Sequence, residues 1–349
     1  MPRTFRMIAL AALAVVTAAT LSGCGDGGQS AGSRAGGDPG APSGPPSVVA
    51  TTLPVYALAL DVLGDSKGIG LSMLVPAGSG CPHDYSLSPG DMEKLARAKL
   101  VLANGAGLEE FLLAGPVRNL KLRVVRLSDG LKLIPLSPEE QAAEAKAHGA
   151  HESHEADEEH DGHDGHGHAQ AGEYNPHTFA SPGNAARMIE KIGRTFAELD
   201  PANAATYRAN AAARAAKLDA LAGEFAAVAQ GAANRKIVTL HNVFDYLARD
   251  AGLEVVAIIE TEPGQPPGLG AFADLIEKVR RDKPAAIFSE PQYSAKPAAL
   301  LGKETGVPVY ELDPFATGKA EAGAYLAAMQ KNLETLRKAL ANGKAADGR

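Results

Sequence analysis

The feature that most constrains the fold is a stretch of thirty residues, 201–230, with the composition of one long helix. Pro201 opens it, and proline suits the first turn of a helix because its missing N–H has no partner there. No further Pro follows, and the strong helix formers Ala, Lys, Arg, Leu and Glu dominate. Such a helix would be about 40 Å long, which is more than one small domain needs. We therefore predict a rod that joins two lobes.

Short β-branched segments alternate with helical segments on both sides of this stretch. Before it, the predicted strands are SVVATT, IGLSMLVP, LVLANG and RVVRLSD; after it, they are KIVTL, LEVVAIIE, AAIFSE and PVYELD. Strands that alternate with helices predict a mainly parallel sheet covered on both faces. The predicted fold class is α/β, with two lobes that each contain a mainly parallel sheet flanked by helices, joined by one long rigid helix.

The N-terminus has the pattern of a bacterial export signal. Two arginines precede an apolar run of residues 7–21, and small residues follow. The ending LSGC resembles the lipobox of bacterial lipoproteins, in which the cysteine, here Cys24, is acylated; an ordinary secretory peptide with a chance Cys is the alternative. We expect a signal peptide at 1–24 and a flexible tether, rich in Gly, Ser and Pro, at 25–46.

Seven of the ten histidines lie in one acidic insert, residues 148–168. The insert holds seven of the 41 acidic residues and no Lys or Arg, so the other residues carry 34 acids against 34 bases, which argues against a nucleic-acid partner. Without hydrophobic residues other than Ala, it is predicted to belong to a disordered loop, 137–173, that collects metal. A solvated acidic spacer is the alternative. The histidines are His148, His151, His154, His160, His163, His166 and His168.

The other three histidines are isolated from one another and are the candidate metal ligands. His83 and His241 each follow a predicted strand, and two acids, Glu290 and Asp313, end two further predicted strands. In open parallel sheets, ligands bind beyond the carboxyl ends of strands. His177 precedes the helix that leads into the rod, so it can face the same crevice. We predict that these groups converge; a hydrogen-bonded or surface histidine is the alternative for each taken alone.

Four segments carry a family resemblance: PHDYSLSP, NPHTFASPGNAARMIEKIGRTFAELDPANAATYRAN, LHNVFDYLARDAGL and FSEPQYSAKPAALLGKETGVPVYELDP. They resemble the zinc-type, ZnuA-like solute-binding proteins of bacterial metal ABC importers, over residues 48–342. The resemblance implies a Zn²⁺ ion between two lobes, held by His83 of the P-H motif, His177 of the N-P-H motif and His241. Asp313 corresponds to a fourth position that a carboxylate fills in some members and water in others.

The resemblance also implies the cellular role. It predicts a monomeric, lipid-anchored binding protein that is not an enzyme, with an ABC permease and its ATPase as partners. The expected location is the cell envelope, on the periplasmic or extracellular face of the membrane. The predicted lobes are residues 47–182 and 231–349, with a helical segment at 183–230 between them.

The residue types favour zinc independently of the resemblance. Neutral imidazole nitrogens suit Zn²⁺, whereas carboxylate-rich sites suit Mn²⁺. The resemblance points the same way, because manganese-type relatives usually carry Glu where this chain has His241. Three histidines and one oxygen form a tetrahedral site without thiolate. The resemblance places Glu290 in an F-x-E-P motif near the interface, and we interpret it as a group that orients a ligand or serves the hinge, in preference to a direct ligand. Cys81 is near enough to His83 in sequence to reach zinc, but a free Cys usually behaves as a small buried hydrophobe.

Three alternative functions use the same residues. A manganese- or iron-type metal-binding protein would have the same fold, and so would a zinc-dependent adhesin or a periplasmic zinc chaperone. A metallohydrolase would use three histidines and an acid to activate water. Against this last alternative, the sequence contains no H-E-x-x-H pair.

Overall fold

The computed structural model describes residues 44–79, 85–112, 115–142, 172–260 and 264–342. All of them belong to one compact unit, Gly44–Arg349. The predictions for the signal peptide and Cys24, for Cys81 and His83, and for the seven histidines of the insert fall outside the described residues.

The strands of the described residues form two sheets of four. They are β1 (Ser47–Ala50), β2 (Gly70–Met73), β3 (Leu100–Ala103), β4 (Val124–Arg126), β5 (Lys236–Thr239), β6 (Glu254–Ile258), β7 (Ala286–Ser289) and β8 (Val309–Glu311). The first sheet has the order β2-β1-β3-β4, the second has the order β6-β5-β7-β8, and every pairing is parallel. The predicted pair of parallel sheets is confirmed, and the second sheet repeats the strand order of the first.

Helices connect the strands and cover the sheets. They are α1 (Leu53–Leu63), α2 (Pro89–Arg97), α3 (Pro182–Leu199), α4 (Ala204–Gln230), α5 (Asp245–Ala251), α6 (Leu269–Asp282), α7 (Lys296–Thr305) and α8 (Ala324–Asn342). Side-chain caps start two of them, because Ser88 accepts from the N–H of Asp91 and Ser181 accepts from the N–H of Asn184. Within the described residues, the structure has no helix that combines the length and the apolar character needed to cross a membrane.

The long helix expected from the sequence is α4, and a 3₁₀ turn, Pro201–Asn203, precedes it. Its buried residues recur every three or four positions and therefore form one stripe along the helix. They are Tyr207, Ala211, Ala215, Leu218, Leu221, Phe225 and Ala229. The helix contacts α1 and α3 as well as α5 and α8, which follow it in the chain. One helix is thus packed against elements of both lobes.

A single hydrophobic core connects the two sheets through this helix. Val48 of β1 and Ile237 of β5 belong to the same cluster as the buried stripe of α4. The next residues along these two strands, Val49 and Val238, point to the opposite faces, as alternation in a strand requires. They belong to two separate clusters, the first covered by α2 and the second by α6 and α7. The helical layer is therefore shared, while each sheet has its own outer cover.

A buried carboxylate ties the C-terminal helix to the first lobe. Asp61 of α1 accepts two hydrogen bonds at Oδ1: one from Arg214 of α4, at 2.8 Å, and one from the main-chain N–H of Gly323, at 2.7 Å. Burial raises the pKa of Asp61, and the Arg214 guanidinium opposes this shift. Nearby, the hydroxyl of Tyr325 in α8 donates to the carbonyl of Phe179 at 2.6 Å. These bonds form a second connection between the lobes, in addition to α4.

Gly193 marks a close approach of α3 to α4. A Cβ at this position would lie 2.5 Å from the Cβ of Ala211 and 3.3 Å from the carbonyl oxygen of Tyr207. We expect Gly193→Ala to lower the free energy of unfolding by about 2 kcal/mol. Overpacking against atoms that cannot move costs about 3 kcal/mol, and the higher helix propensity of Ala returns about 1 kcal/mol. Equilibrium urea denaturation measures the difference.

Gly223→Ala is the matched control within α4. Gly223 is exposed, and apart from its chain neighbours and the backbone of its own helix, no described atom lies within 4 Å of a Cβ built there. The substitution should therefore raise the free energy of unfolding, by up to about 1 kcal/mol. Changes of the same sign at both positions would show that the contact between α3 and α4 is not the cause.

Candidate metal site between the lobes

Four polar side chains follow the four parallel strands of the second sheet. Glu260 follows β6, His241 follows β5, Glu290 follows β7 and Asp313 follows β8. Because the carboxyl ends of parallel strands meet at one edge, the order β6-β5-β7-β8 places the first three side by side. Sequence reasoning identified three of these four residues and missed Glu260, although the same rule points to it.

Glu290 orients the ring of His241. The His241 Nδ1 lies 2.6 Å from Glu290 Oε1, and the main-chain N–H of His241 donates to the same oxygen at 3.4 Å. The other oxygen, Oε2, accepts from Gln292 Nε2 at 2.6 Å. Both carboxylate oxygens thus act as acceptors, so Nδ1 of the neutral ring carries the proton and Nε2 carries the lone pair. This contact matches the ligand-orienting interpretation of Glu290, which stays a prediction.

Two buried acidic side chains, Glu290 and Glu260, lie near His241. Glu290 and Glu260 are 1% and 2% exposed. Glu260 Oε2 accepts from the main-chain N–H of Gly264 at 2.8 Å. Burial raises the pKa of Glu260, and the Glu290 carboxylate acts in the same direction. An environment of this kind favours a cation near His241, because a positive charge relieves the repulsion between the acids.

The first lobe positions His177 through its neighbours in the chain. Asn104, which follows β3, donates from Nδ2 to the carbonyl of Pro176 at 2.7 Å and accepts from Thr178 Oγ1 at 2.7 Å. The N–H of Asn104 in turn donates to the carboxylate of Glu109 at 2.7 Å. The main chain on both sides of His177 is therefore fixed to the end of a central strand.

The structure brings His177 and His241 together from the two lobes. Their ring centroids lie 5.1 Å apart with an angle of 81° between the planes, and the residues are 4% and 3% exposed. The His177 Nδ1 lies 3.0 Å from Asn175 Oδ1, just as the His241 Nδ1 lies near Glu290. In both rings Nδ1 is engaged by an oxygen, so Nε2 is the nitrogen with which each can bind a metal.

Asp313 lies in the same part of the second lobe. Its Oδ1 accepts from the N–H of Phe315 at 2.7 Å, and its own N–H donates to Asn332 Oδ1 at 2.9 Å. Burial raises the pKa of Asp313, and the Glu290 carboxylate acts in the same direction, which places the two acids within electrostatic range. The role of Asp313 as a fourth ligand stays a prediction.

The third predicted histidine ligand, His83, lies outside the described residues, and so does Cys81. Among the residues that the structure describes, no group of three or more His, Cys, Asp and Glu side chains is arranged to hold a metal ion. The two predicted histidine ligands that the structure does describe, His177 and His241, lie next to each other. The complete set stays a prediction.

A polar network beside the histidines joins the two lobes, and sequence reasoning missed it. Asn175 Nδ2 donates to the carbonyl of Asn242 at 2.8 Å and to Asp245 Oδ2 at 3.0 Å. The hydroxyl of Tyr246 donates to the carbonyl of Asn175 at 2.7 Å. Glu140 Oε1 accepts from Asn242 Nδ2 at 2.9 Å. Nothing in the sequence marks these residues as neighbours, because they meet only through the packing of the lobes.

Two known proteins with similar sequences are zinc proteins by name. The profile of the family described as "Zinc-uptake complex component A periplasmic" (ZnuA) matches residues 48–339. The chain is 34% identical over 282 residues to the high-affinity zinc uptake system protein ZnuA of Brucella abortus, which covers 77% of this chain and 83% of that protein. It is 31% identical over 297 residues to the zinc-binding lipoprotein AdcA of Streptococcus pneumoniae, which covers 83% of this chain. The chain spans about half the length of AdcA, 55%.

A solved structure with the same fold contains manganese. It is the solute-binding protein FpvC of Pseudomonas aeruginosa in complex with Mn²⁺, which has a TM-score of 0.67 and 26% sequence identity. The likeness covers 85% of this chain and 98% of that one. It supports the two-lobed fold over most of the chain.

Asp245, which belongs to the polar network between the lobes, has a raised pKa. Burial raises the pKa of Asp245 to about 7, and the Glu140 carboxylate adds to the shift. On unfolding, the pKa returns to about 3.9. The folded state therefore binds the additional proton between these values, and the free energy of unfolding falls as the pH rises through this interval. The loss is at most about 1.4 kcal/mol per pH unit.

Asp245→Asn should remove this loss, because the amide oxygen still accepts from Asn175 and carries no charge. In the metal-free protein, we expect the variant and the parent to be similarly stable near the unfolded pKa. The variant should become progressively more stable than the parent up to the folded pKa, with a constant difference above it. Urea denaturation across this pH range measures the difference. A difference that does not change with pH would contradict the raised pKa.

Proposed function

The chain belongs to the ZnuA family of periplasmic zinc-uptake components, and we propose that it is the zinc-capturing component of an ABC importer. One Zn²⁺ ion binds between the lobes and is delivered to a membrane permease that an ATPase drives. The protein acts as a monomeric binding protein and not as an enzyme. Family membership and the names of the relatives support this role.

The observation that carries the proposal is the geometry of His177 and His241. With a Zn–N bond of about 2.0–2.1 Å, the centre of a ligating imidazole lies about 3.2 Å from the ion, and two such rings at a tetrahedral angle have centres about 5.2 Å apart. The observed distance between the two centroids is 5.1 Å. The observed distance between the rings therefore matches the distance expected for two ligands of one tetrahedral ion.

The surroundings of this pair favour zinc over manganese. Two neutral imidazoles are softer ligands than the carboxylates that Mn²⁺ prefers. The carboxylate of Glu290 raises the basicity of the His241 ring through Nδ1, as outer partners of zinc-bound histidines commonly do. His83 and Asp313 complete the proposed tetrahedron, and the absence of thiolate from this set suits a site that must also release its ion. Cys81 is assigned no ligand role.

Zinc titration by calorimetry of the tether-free protein tests the site. We expect one tight zinc event that manganese cannot displace. His177→Ala and His241→Ala should each weaken it by more than the roughly 10–100-fold that loss of an outer partner costs. His160→Ala, a matched histidine of the insert, should have a smaller effect. Equal losses at His160 and His241, or displacement of zinc by manganese, would overturn the proposed site or its metal.

We assign the histidine-rich insert the separate role of collecting zinc. Ordering a Gly-containing segment around an ion costs about 1–2 kcal/mol of backbone entropy per residue fixed, so the insert should bind less tightly than the interface. Deletion of residues 147–169 should abolish only weak zinc events, with uptake impaired chiefly when zinc is scarce. Loss of the tight event in a folded deletion variant would place the insert in the primary site.

The proposed location follows from the lipobox. Acylation of Cys24 would anchor the protein on the periplasmic or extracellular face of a membrane through the tether of residues 25–46. Cells grown with labelled fatty acid should label the parent protein and leave Cys24→Ser unlabelled. Label on the variant would refute the lipoprotein proposal and leave the zinc site untouched.

A further inference from the structure

Asn175 is buried at the contact between the lobes, with every hydrogen-bonding group engaged. It is 0% exposed. Its main-chain N–H donates to the carbonyl of Ile134 at 2.8 Å, and its carbonyl accepts from the hydroxyl of Tyr246 at 2.7 Å. Its side-chain amide points one end toward His177 and the other toward Asn242 and Asp245.

The chemistry of the neighbours fixes the orientation of this amide. The main-chain N–H of His177 can only donate, and it lies 2.9 Å from Oδ1. The carbonyl of Asn242 can only accept, and it lies 2.8 Å from Nδ2. A flipped amide would set a donor against the donor of His177 and an acceptor against the acceptor of Asn242. Each lobe therefore contributes an obligate partner that specifies the same orientation.

This orientation determines which nitrogen of neutral His177 carries the proton. Oδ1 of Asn175 lies 3.0 Å from the ring Nδ1 and has only lone pairs to offer. Nδ1 must therefore be the N–H nitrogen, which leaves the lone pair on Nε2. A ring with the opposite tautomer would set two lone pairs against each other in a buried site.

We infer that Asn175 is a positioning residue that holds His177 in the metal-binding tautomer and couples this state to the contact between the lobes. The inference rests on the proposed function, in which Nε2 of His177 binds the ion. The acceptors of Nδ2, Asn242 and Asp245, stand one and four residues after His241. The same amide therefore orients one predicted ligand and binds the segment that follows the other. By linkage, zinc bound at His177 strengthens the lobe contact as much as that contact strengthens zinc binding.

The first readout is the tautomer of His177 in the metal-free full-length protein, measured by long-range ¹H–¹⁵N NMR. The parent should show the Nδ1–H form at His177. Asn175→Ala should lower the fraction of the Nδ1–H form at His177. His241 is an internal control, because Glu290 should keep its Nδ1–H form in every variant. An Nε2–H form at His177 in the parent, or an unchanged tautomer in Asn175→Ala, would overturn the inference.

Asn175→Asp separates the two parts of the assignment. Its carboxylate still accepts from His177, so the Nδ1–H form should persist. It cannot donate to the carbonyl of Asn242, which would then face a second acceptor, so the lobe contact should be weakened. We expect zinc affinity to fall roughly 10–100-fold in Asn175→Asp and at least as far in Asn175→Ala. Parent-like affinity in a folded Asn175→Asp would show that the lobe contact plays no part.

Asn184→Ala is the matched control. It removes another buried asparagine, whose Nδ2 donates at 3.1 Å to the carbonyl of Thr178, the residue after His177. The His177 tautomer and the zinc affinity should change by less than twofold. Changes as large as those of Asn175→Ala would reduce Asn175 to a general packing role. If the parent shows the expected tautomer but binds no zinc tightly, the proposed function fails while the assignment of the tautomer stands.

Discussion

The buried stripe of α4 belongs to the same hydrophobic core as the inner faces of both sheets. Moving one sheet away from this helix would expose apolar surface at about 25 cal/mol per Å², so large rotations of the lobes are costly. The bonds from Arg214 and Gly323 to Asp61 add a second, polar connection. This shared helical layer fixes the distance between the carboxyl edges of the sheets, and the relative positions of His177 and His241 follow from it.

The proposed metal site would need little ordering when an ion binds. His177 is set by Asn104 and Asn175, and His241 is set by Glu290, so each ring has its orientation before any metal is bound. Most of the entropy that a mobile ligand would lose on binding is already lost in folding. Asn175 bonds to Asn242 of the second lobe and to the ring of His177. A small change at the lobe contact therefore also changes the hydrogen bond that orients His177. In the proposed function, capture and release of the ion then need only small movements that leave the shared core intact.

The parts of this structure that the sequence predicted are those encoded by local patterns. The alternation of strands and helices indicated two parallel sheets, and the run of residues 201–230 indicated α4, apart from its first turn. The rule that ligands lie beyond strand ends located His241, Glu290 and Asp313. The same rule applied to LEVVAIIE would also have located Glu260.

The contacts between the lobes could not be predicted in the same way. Asn175 and Asp245 are seventy residues apart in the sequence, and no periodicity relates them, because their contact depends on how α3 and α4 set the two sheets against each other. Gly193 is a second example. A side chain at this position would clash with Ala211, but the two residues meet only in the folded structure. Packing between distant segments, and not local propensity, supplies the polar groups that orient the histidines.

X-ray absorption spectroscopy of the zinc-loaded protein, together with a crystal structure of that state, tests the central claim most directly. The claim is that one ion binds between the lobes through Nε2 of both His177 and His241. The expected result is a single zinc at about 2.0–2.1 Å from both Nε2 atoms, with Nδ1 of each ring still bonded to Asn175 and Glu290. Zinc bound through Nδ1 of either ring, or bound without one of the two histidines, would contradict it.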